Sequence, residues 1–274
     1  MAFLIDFLKI KQIFYGKTSK MKGFMKDLKE KEILSLIERK TSVKVEEIAK
    51  SLFMSASTVR RKLNALEEKG LIKRLHGKAV ISNANSLSPS FTFRSHQNVL
   101  EKKKMGLYAL DLIKDGDVIF LDGSTSAFYI ASALGKFKNI TVITNGIDTL
   151  SQLSELGIKA YSTGGEISDN NKSVFVGSYA EEMIKNFHAD IFFFSVASAY
   201  PNGEIYDCFI KENFIRKKMI ENSTKSVLLL DSAKFNTQFP YRLCNINELD
   251  YVITETDVKE YFTCPLKTKF IPEK

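Results

Sequence analysis

Between residues 118 and 253 six short runs of apolar residues recur, at Val118–Leu121, Ile140–Ile143, Ile158–Tyr161, Ile191–Phe194, Val227–Leu230 and Tyr251–Ile253. A stretch with helical spacing around Lys102–Ile113 precedes them, and others around Ala127–Leu134 and Ile147–Leu156 separate them. A strand with one wet face alternates apolar and polar residues, whereas these runs are almost continuously apolar, broken only by Thr141 and Lys159. They therefore predict strands buried on both faces, which is the pattern of a parallel sheet with helices packed on either side. The body of the chain reads as α/β.

Each run ends in small polar residues. Asp122-Gly123-Ser124-Thr125-Ser126 follows the first, Thr144-Asn145-Gly146 the second and Thr163-Gly164-Gly165-Glu166 the third. Ser195 to Ser198 follows the fourth and Asp231-Ser232-Ala233-Lys234 the fifth. Open α/β sheets bind ligands outside the carboxyl ends of their strands. Ser124, Thr125 and Ser126 stand where a helix would begin, and the free N–H groups there favour an anion. Gly164 and Gly165 would let backbone approach a ligand closely, and Lys234 offers a cation. The set suits a phosphorylated small molecule. Any one of these loops could be an ordinary turn, since Gly, Ser, Asn and Asp are turn residues; five in one topological position argue for a site.

Charge divides the chain differently. Residues 1–88 hold 19 Lys and Arg against 9 Asp and Glu, so the whole excess of +8 sits in the first third. A basic module on a nearly neutral body suggests a polyanionic partner, although a Lys-rich face can also serve solubility. Apolar residues recur at helical spacing in 28–38, with Leu28, Ile33, Leu34 and Ile37. Val45, Ile48, Ala49 and Leu52 suggest a second helix, and Phe53 and Met54 a tight turn. Ser55 can cap a third helix with the stripe Val59, Leu63 and Leu66, ended by Gly70. Two helices joined so tightly form a helix-turn-helix. The outer face of the third carries Ser57, Thr58, Arg60, Arg61 and Asn64, types that meet phosphates, guanine and adenine. Two short strands pinched at Gly77 follow at once, a wing that places Lys73, Arg74, His76 and Lys78 beside a DNA backbone.

The run Ser55-Ala56-Ser57-Thr58-Val59-Arg60-Arg61-Lys62-Leu63, followed by Gly70-Leu71-Ile72 and His76-Gly77-Lys78-Ala79, resembles the winged helix of the DeoR family of bacterial transcription regulators. That family typically reads Ser-x-x-Thr-Ile-Arg-Arg-Asp-Leu. Lys62 replaces its acidic residue and Lys78 the second Gly of His-Gly-Gly-Ala, and both changes add positive charge. The body is similar to the same family's effector domain at Lys102, Leu121 to Ser126, Thr144-Asn145, Gly164-Gly165, Val176-Gly177 with Ala180, and Asp231 to Phe235. Ser124 stands where the family's Asp-x-Gly-Thr-Thr has Gly. The resemblance, over about residues 28–255, implies a winged helix joined to a domain like ribose-5-phosphate isomerase in fold. It also implies a phosphorylated sugar as effector, with Lys102, Asp122, Ser124, Thr125, Ser126, Asn145, Gly164, Gly165, Asp207 and Lys234 around it.

The expected layout is an extension without assigned role (1–27), the winged helix (28–81), a Ser- and Asn-rich linker (82–93) and the effector domain (94–274). Asp6, Lys9 and Lys11 interrupt the apolar start, so a secretory signal is not expected, and no apolar window is long enough to span a membrane. Cys208, Cys244 and Cys264 are odd in number and far apart, which fits free thiols in a reducing cytoplasm. Neither they nor His76, His96 and His188 have metal-ligand spacing, so no cofactor or metal is expected. The leading reading is a DNA-binding regulator, a repressor that acts as a dimer or tetramer. Asp122, Glu166, Asp207 and Asp231 keep open a sugar-phosphate isomerase, which would have no use for a basic winged helix. A third reading is an architectural DNA-binding protein with a degenerate pocket.

Overall fold

The computed structural model describes residues 29–30, 32–34, 36–37, 40, 42–68, 71–75, 77–81, 88–235 and 237–272. The chain divides into two compact units, residues 1–85 and 86–274. The expected extension, residues 1–27, lies outside the described residues.

In the first unit the described residues of 29–37 are helical and bury Ile33, Leu34, Leu36 and Ile37. Strand β1 (Ser42–Lys44) leads into helix α1 (Val45–Ser51), which buries Ile48. Glu46 and Glu47 lie in the first turn of α1 and Lys50 in its last, matching the helix dipole. Phe53 turns the chain with φ 51, and Ser55 Oγ then accepts from Thr58 N at 3.2 Å, which caps helix α2 (Ala56–Glu68). The expected stripe Val59, Leu63 and Leu66 is buried. Leu71 N donates to Leu66 O at 2.9 Å, the six-residue closing bond of a Schellman end; Gly70, expected at that end, is outside the described residues. Strands β2 (Ile72–Leu75) and β3 (Lys78–Ile81) pair antiparallel around Gly77, whose φ of 75 is easy only for glycine. β1 joins them as a third strand, Val43 opposite Ala79, which three residues of sequence were too short to signal.

Lys62 does not add charge to the outer face of α2, as its replacement of an acidic residue suggested. It is 7% exposed, and its Nζ donates to the buried Glu30 carboxylate at 3.0 Å. Removing one member of such a buried pair takes away a hydrogen-bonded counter-charge. Lys62→Ala should therefore lower the stability of the first unit by roughly 3–5 kcal/mol. Reversing both residues, Glu30→Lys with Lys62→Glu, should restore most of it, and urea unfolding of the two variants against the wild type checks this.

The second unit is built on seven parallel strands in the order β15-β14-β12-β9-β4-β5-β6. These are β4 (Val118–Leu121), β5 (Thr141–Thr144), β6 (Lys159–Ser162), β9 (Ile191–Phe194), β12 (Ser226–Leu229), β14 (Tyr251–Ile253) and β15 (Lys269–Ile271). The six apolar runs are six of these strands, displaced by at most one residue. β15 has a single buried residue, Phe270, too short an apolar run to signal a strand. Alternate residues feed two cores. Phe120, Phe192, Phe194 and Leu228 face one, and Ile119, Leu121, Phe193 and Leu229 the other, so both faces of the sheet are covered.

The linker ends earlier than expected. Phe91–His96 is helix α3, capped by Ser90 Oγ, and Phe91 and Phe93 are buried in it. The Ser- and Asn-rich composition masked two aromatic anchors. Helix α4 (Val99–Leu110) follows, and then α5 (Thr125–Ala131), α6 (Ile147–Glu155), α7 (Ser178–Ile184) and α8 (Ile210–Glu221). An antiparallel sheet β10-β11-β13 (Ser198–Ala199, Glu204–Asp207, Tyr241–Asn245) and a hairpin β7-β8 (Glu166–Ile167, Phe175–Val176) complete the unit.

Candidate functional site

On the first unit Ser57, Arg60, Arg61 and Asn64 are exposed along α2, with Thr58 half-buried, and Lys73, Arg74 and Lys78 are exposed on the wing. His76 is outside the described residues. Arg61, Lys73 and Lys78 point their charge to solvent, and Arg60 meets Glu46 in an exposed pair at 3.7 Å that is worth little. Arg74 differs. Its guanidinium donates to Asn64 Oδ1 and, at 3.2 Å, to Arg60 O, while the Glu67 carboxylate accepts from Arg74 N at 3.0 Å and lies 3.4 Å from Arg74 Nε. Arg74 thus clasps the wing to α2, and it occupies the side chain of Asn64. The sequence offered no sign of this, because residues 64 and 74 lie on different elements, α2 and β2.

In the second unit the chain runs from β4 outward to β5 and β6, then crosses to β9 on the other side of β4. The switch point lies between β4 and β9, and the loops at their carboxyl ends are the expected place for a ligand. Those loops are Asp122–Ser126 and Ser195–Ser198. Ser124 Oγ accepts from Ala127 N at 3.2 Å and starts α5. The N–H groups of Thr125 and Ser126, in the first turn, have no acceptor within the helix. Among the described residues the buried hydroxyls without a hydrogen-bond partner are those of Ser126, Thr149 and Ser198. They follow β4, β5 and β9, three neighbouring strands, by no more than five residues each.

Beneath these loops lies Arg216 of α8, 5% exposed. Its Nε meets Asp122 Oδ2 at 3.0 Å, Nη1 meets Asp207 at 3.1 Å, and Nη2 meets Glu212 at 3.3 Å. Burial works against the guanidinium charge, but Asp207, Asp122 and Glu212 outweigh it and hold its pKa above the ordinary value. Burial pushes the Glu212 carboxyl up despite the pull of Arg216. Asp122 also accepts from Ser124 N at 3.1 Å and Ser195 N at 3.4 Å, so it pins both loops of the switch point. Asn145 Oδ1 accepts from Gly123 N at 2.9 Å, and its Nδ2 donates to Phe175 O at 3.0 Å. Asp122, Asn145 and Asp207 were expected around an effector. Their polar atoms face protein partners, and they shape the site from below.

The glycines divide in the same way. A side chain on Gly165 would meet Val176 O at 2.6 Å and Ala180 Cβ at 2.9 Å, so its own chain requires that glycine, not a ligand. Gly164 has φ 59 and open space beside it. Gly123, unremarked from sequence as a packing residue, would drive a side chain into Val174 at 2.2 Å.

The cations gather at the end of β12. Lys234 Nζ donates to Ser195 Oγ at 2.8 Å and to Val196 O, and lies 4.0 Å from Asp231. Lys102 is 5% exposed and donates to Arg94 O at 2.5 Å and Gln97 O at 2.7 Å. Burial first, and Lys234 second, lower its pKa to about 7. The thiol of Cys208, beside Asp207, is pushed up to about 12 by burial and is unreactive at neutral pH. A separate hollow of about 530 Å³, lined by Phe137, Ile140, Leu156, Ile158 and Lys159 among others, lies at the amino ends of β5 and β6, away from the switch point.

The winged helix with its exposed basic face has the form of a DNA-binding domain, and the second unit is a doubly covered parallel sheet with a polar switch point. Residues 29–85 match the family model of the DeoR-like helix-turn-helix domain, and residues 97–256 that of the DeoR C-terminal sensor domain. The transcriptional regulator GolR of Listeria innocua is 30% identical over 233 residues, 85% of this chain and 91% of its own. The lactose phosphotransferase system repressor of Staphylococcus epidermidis is 30% identical over 82% of this chain and 90% of its own. The L-fucose operon activator of Haemophilus influenzae is 29% identical over 83% and 91%. Among solved structures, ribose 5-phosphate isomerase A of Methanocaldococcus jannaschii is 17% identical, covers 51% of this chain and 55% of its own, and has a TM-score of 0.39. The chain belongs to the DeoR family of helix-turn-helix transcriptional regulators, and it is a regulator rather than an isomerase. Two of the carboxylates that kept the enzyme reading open, Asp122 and Asp207, are paired with Arg216.

Replacing Arg216 with Met should leave the three carboxylates buried without their cation and cost roughly 3–5 kcal/mol. The loss should be smaller at pH 5 than at pH 8, because protonated carboxyls need no partner. Equilibrium unfolding at the two pH values measures both quantities.

Proposed function

We propose that the chain represses sugar-metabolism genes in the cytoplasm, binding operator DNA as a homo-oligomer and answering to a phosphorylated sugar. The observation that carries this reading is the switch point itself. First-turn N–H groups of α5 that have no intrahelical acceptor, orphan buried hydroxyls of Ser126, Thr149 and Ser198 just beyond three neighbouring strands, and the lysines Lys102 and Lys234 lie where such a sheet binds ligands. Ser124, Thr125, Ser126 and Lys234 seat the phosphate, with Gly164 giving open backbone beside it. Asp122, Asn145 and Asp207 fix the loops that do so. The relatives named for lactose and fucose operons support a sugar as the effector, and they include an activator as well as repressors. Among the described residues no helix is long and apolar enough to cross a membrane.

DNA is read by Arg60 and Arg61 from α2, with Ser57 and Thr58 at its first turn and Asn64 freed when Arg74 shifts to phosphate. Lys73 and Lys78 meet the backbone. The winged helix reads two half-sites as a pair of copies, in a dimer or tetramer. A thermal-shift screen with phosphorylated sugars, followed by calorimetry on the best hit, tests the pocket. Lys234→Ala should weaken that ligand at least tenfold, about 1.4 kcal/mol. Unchanged affinity would place the pocket elsewhere.

Binding should also move a proton. Lys102 faces Arg94, Glu101, Asp231 and Lys234, and its pKa of about 7 leaves it largely neutral above that pH. An anion beside it favours the ammonium form, so binding takes up part of a proton, and affinity falls as pH rises above about 7. Calorimetry at pH 8 in buffers of different ionisation enthalpy should report that uptake. For DNA, Lys73→Gln with Lys78→Gln should reduce the slope of log K against log salt by about 1.8, near 0.9 for each lost phosphate contact, without changing preference among sequences.

A further inference from the structure

Helix α3 opens the second unit, and its N-cap Ser90 follows the unit boundary at residues 85 and 86 by a few residues. In sequence, α3 is the first described helix after that boundary. The helix is held from three sides. Phe91 packs edge-on against Phe128 at 5.6 Å, and Tyr129 Oη donates to Ser95 O at 2.8 Å. Lys102 Nζ donates to Arg94 O and Gln97 O, the carbonyls at the C-terminal end of α3.

Two of these holders lie on α5, the helix whose first turn is the anion loop, and the third lies beside Lys234. The joint between α3 and α4 is also fastened to the strand end. Asn98 takes φ 47, uncommon for a residue with a side chain, and its Nδ2 donates to Asp231 Oδ1 at 3.1 Å. Three residues earlier than Lys234 in sequence, Asp231 also caps the turn that carries that lysine.

We propose that Tyr129 and Lys102 are positioning residues that couple the anion loop to α3, so that occupancy of the loop tightens the helix leading to the DNA-binding unit. This rests on the switch point being the effector site. An anion at the first turn of α5 steadies that helix, and with it Phe128 and Tyr129. An anion near Lys102 favours its ammonium form, which donates more strongly to the two carbonyls than the neutral amine. Both effects act on α3 in the same direction. Neither residue needs to touch the sugar for this.

Hydrogen exchange on the full chain, with inorganic phosphate and with glucose 6-phosphate as probes, tests the coupling. In the wild type, saturating probe should slow exchange by about threefold or more in peptides covering 122–128 and also in 91–97. Tyr129→Phe removes one hydroxyl. It should keep the probe's affinity within about twofold and the protection of 122–128, and lose most of the protection at 91–97. Asn98→Gly keeps the backbone angle, releases the joint from Asp231, and should weaken the transfer in the same way. Protection confined to 122–128 in the wild type would overturn the proposal while leaving the effector site standing. So would full transfer in both variants. No protection anywhere with either probe would overturn the effector site and this coupling together.

Discussion

Arg216 comes from helix α8, yet the groups it holds come from the end of β4, from β11 and from its own helix one turn earlier. Strand ends in a parallel sheet diverge, and nothing in the backbone ladder fixes the loops beyond them. A guanidinium fork with five donors is well suited to that position, because one side chain can set three carboxylates at once. Asp122, so fixed, accepts from the backbone of Ser124 and of Ser195 and holds both loops of the switch point in register. Asn145 does the same for Gly123, and the close approach of Gly123 to Val174 and Gly146 seals the floor. The site rests on charges turned inward. Its upper surface is left with N–H groups, hydroxyls and lysines, which suits the phosphorylated effector we propose.

The two units have opposite electrostatic designs. The winged helix keeps Arg60, Arg61, Lys73 and Lys78 on the surface, where they can displace counterions from DNA. Among its described residues, the buried charges Glu30 and Lys62 form an ion pair. The sensor unit draws most of its functional charge out of water. A ligand can alter DNA affinity only by binding the DNA-competent and incompetent states unequally. Buried groups such as Lys102, with a pKa near neutrality, are sensitive to one added charge in a way exposed lysines are not.

Much of this was legible in the sequence, and what was not has physical reasons. Near-continuous apolar runs pointed to six of the seven parallel strands; burial on both faces leaves little room for polar residues in the inner strands, while the edge strand β6 keeps Lys159 exposed. The stripe Val59, Leu63 and Leu66 and the turn at Gly77 gave the winged helix. Short pairings such as β1 with β3, or β10 with β11, carry too few residues for a period to show. Arg216 was invisible because an arginine on an otherwise ordinary helix gives no local sign of partners up to 94 residues away. For the same reason Asp122, Asn145 and Asp207 read as ligand contacts: sequence places a polar residue at a strand end but does not say which way it faces. The direction of Arg74, toward Asn64 and Glu67 of its own unit, belongs to the same class.

The claim on which these features converge is that a sugar phosphate at the switch point and DNA at the winged helix bind one protein cooperatively, with either sign. Fluorescence anisotropy can measure the affinity of the full chain for an operator selected from random duplexes, with and without the sugar phosphate that the thermal screen identifies. The affinity for that sugar phosphate, measured with and without operator, closes the cycle. The two factors must be equal, and a value of about 5 or more in either direction is expected. Operator and sugar phosphate that both bind, each indifferent to the other, would contradict the coupling of the two units.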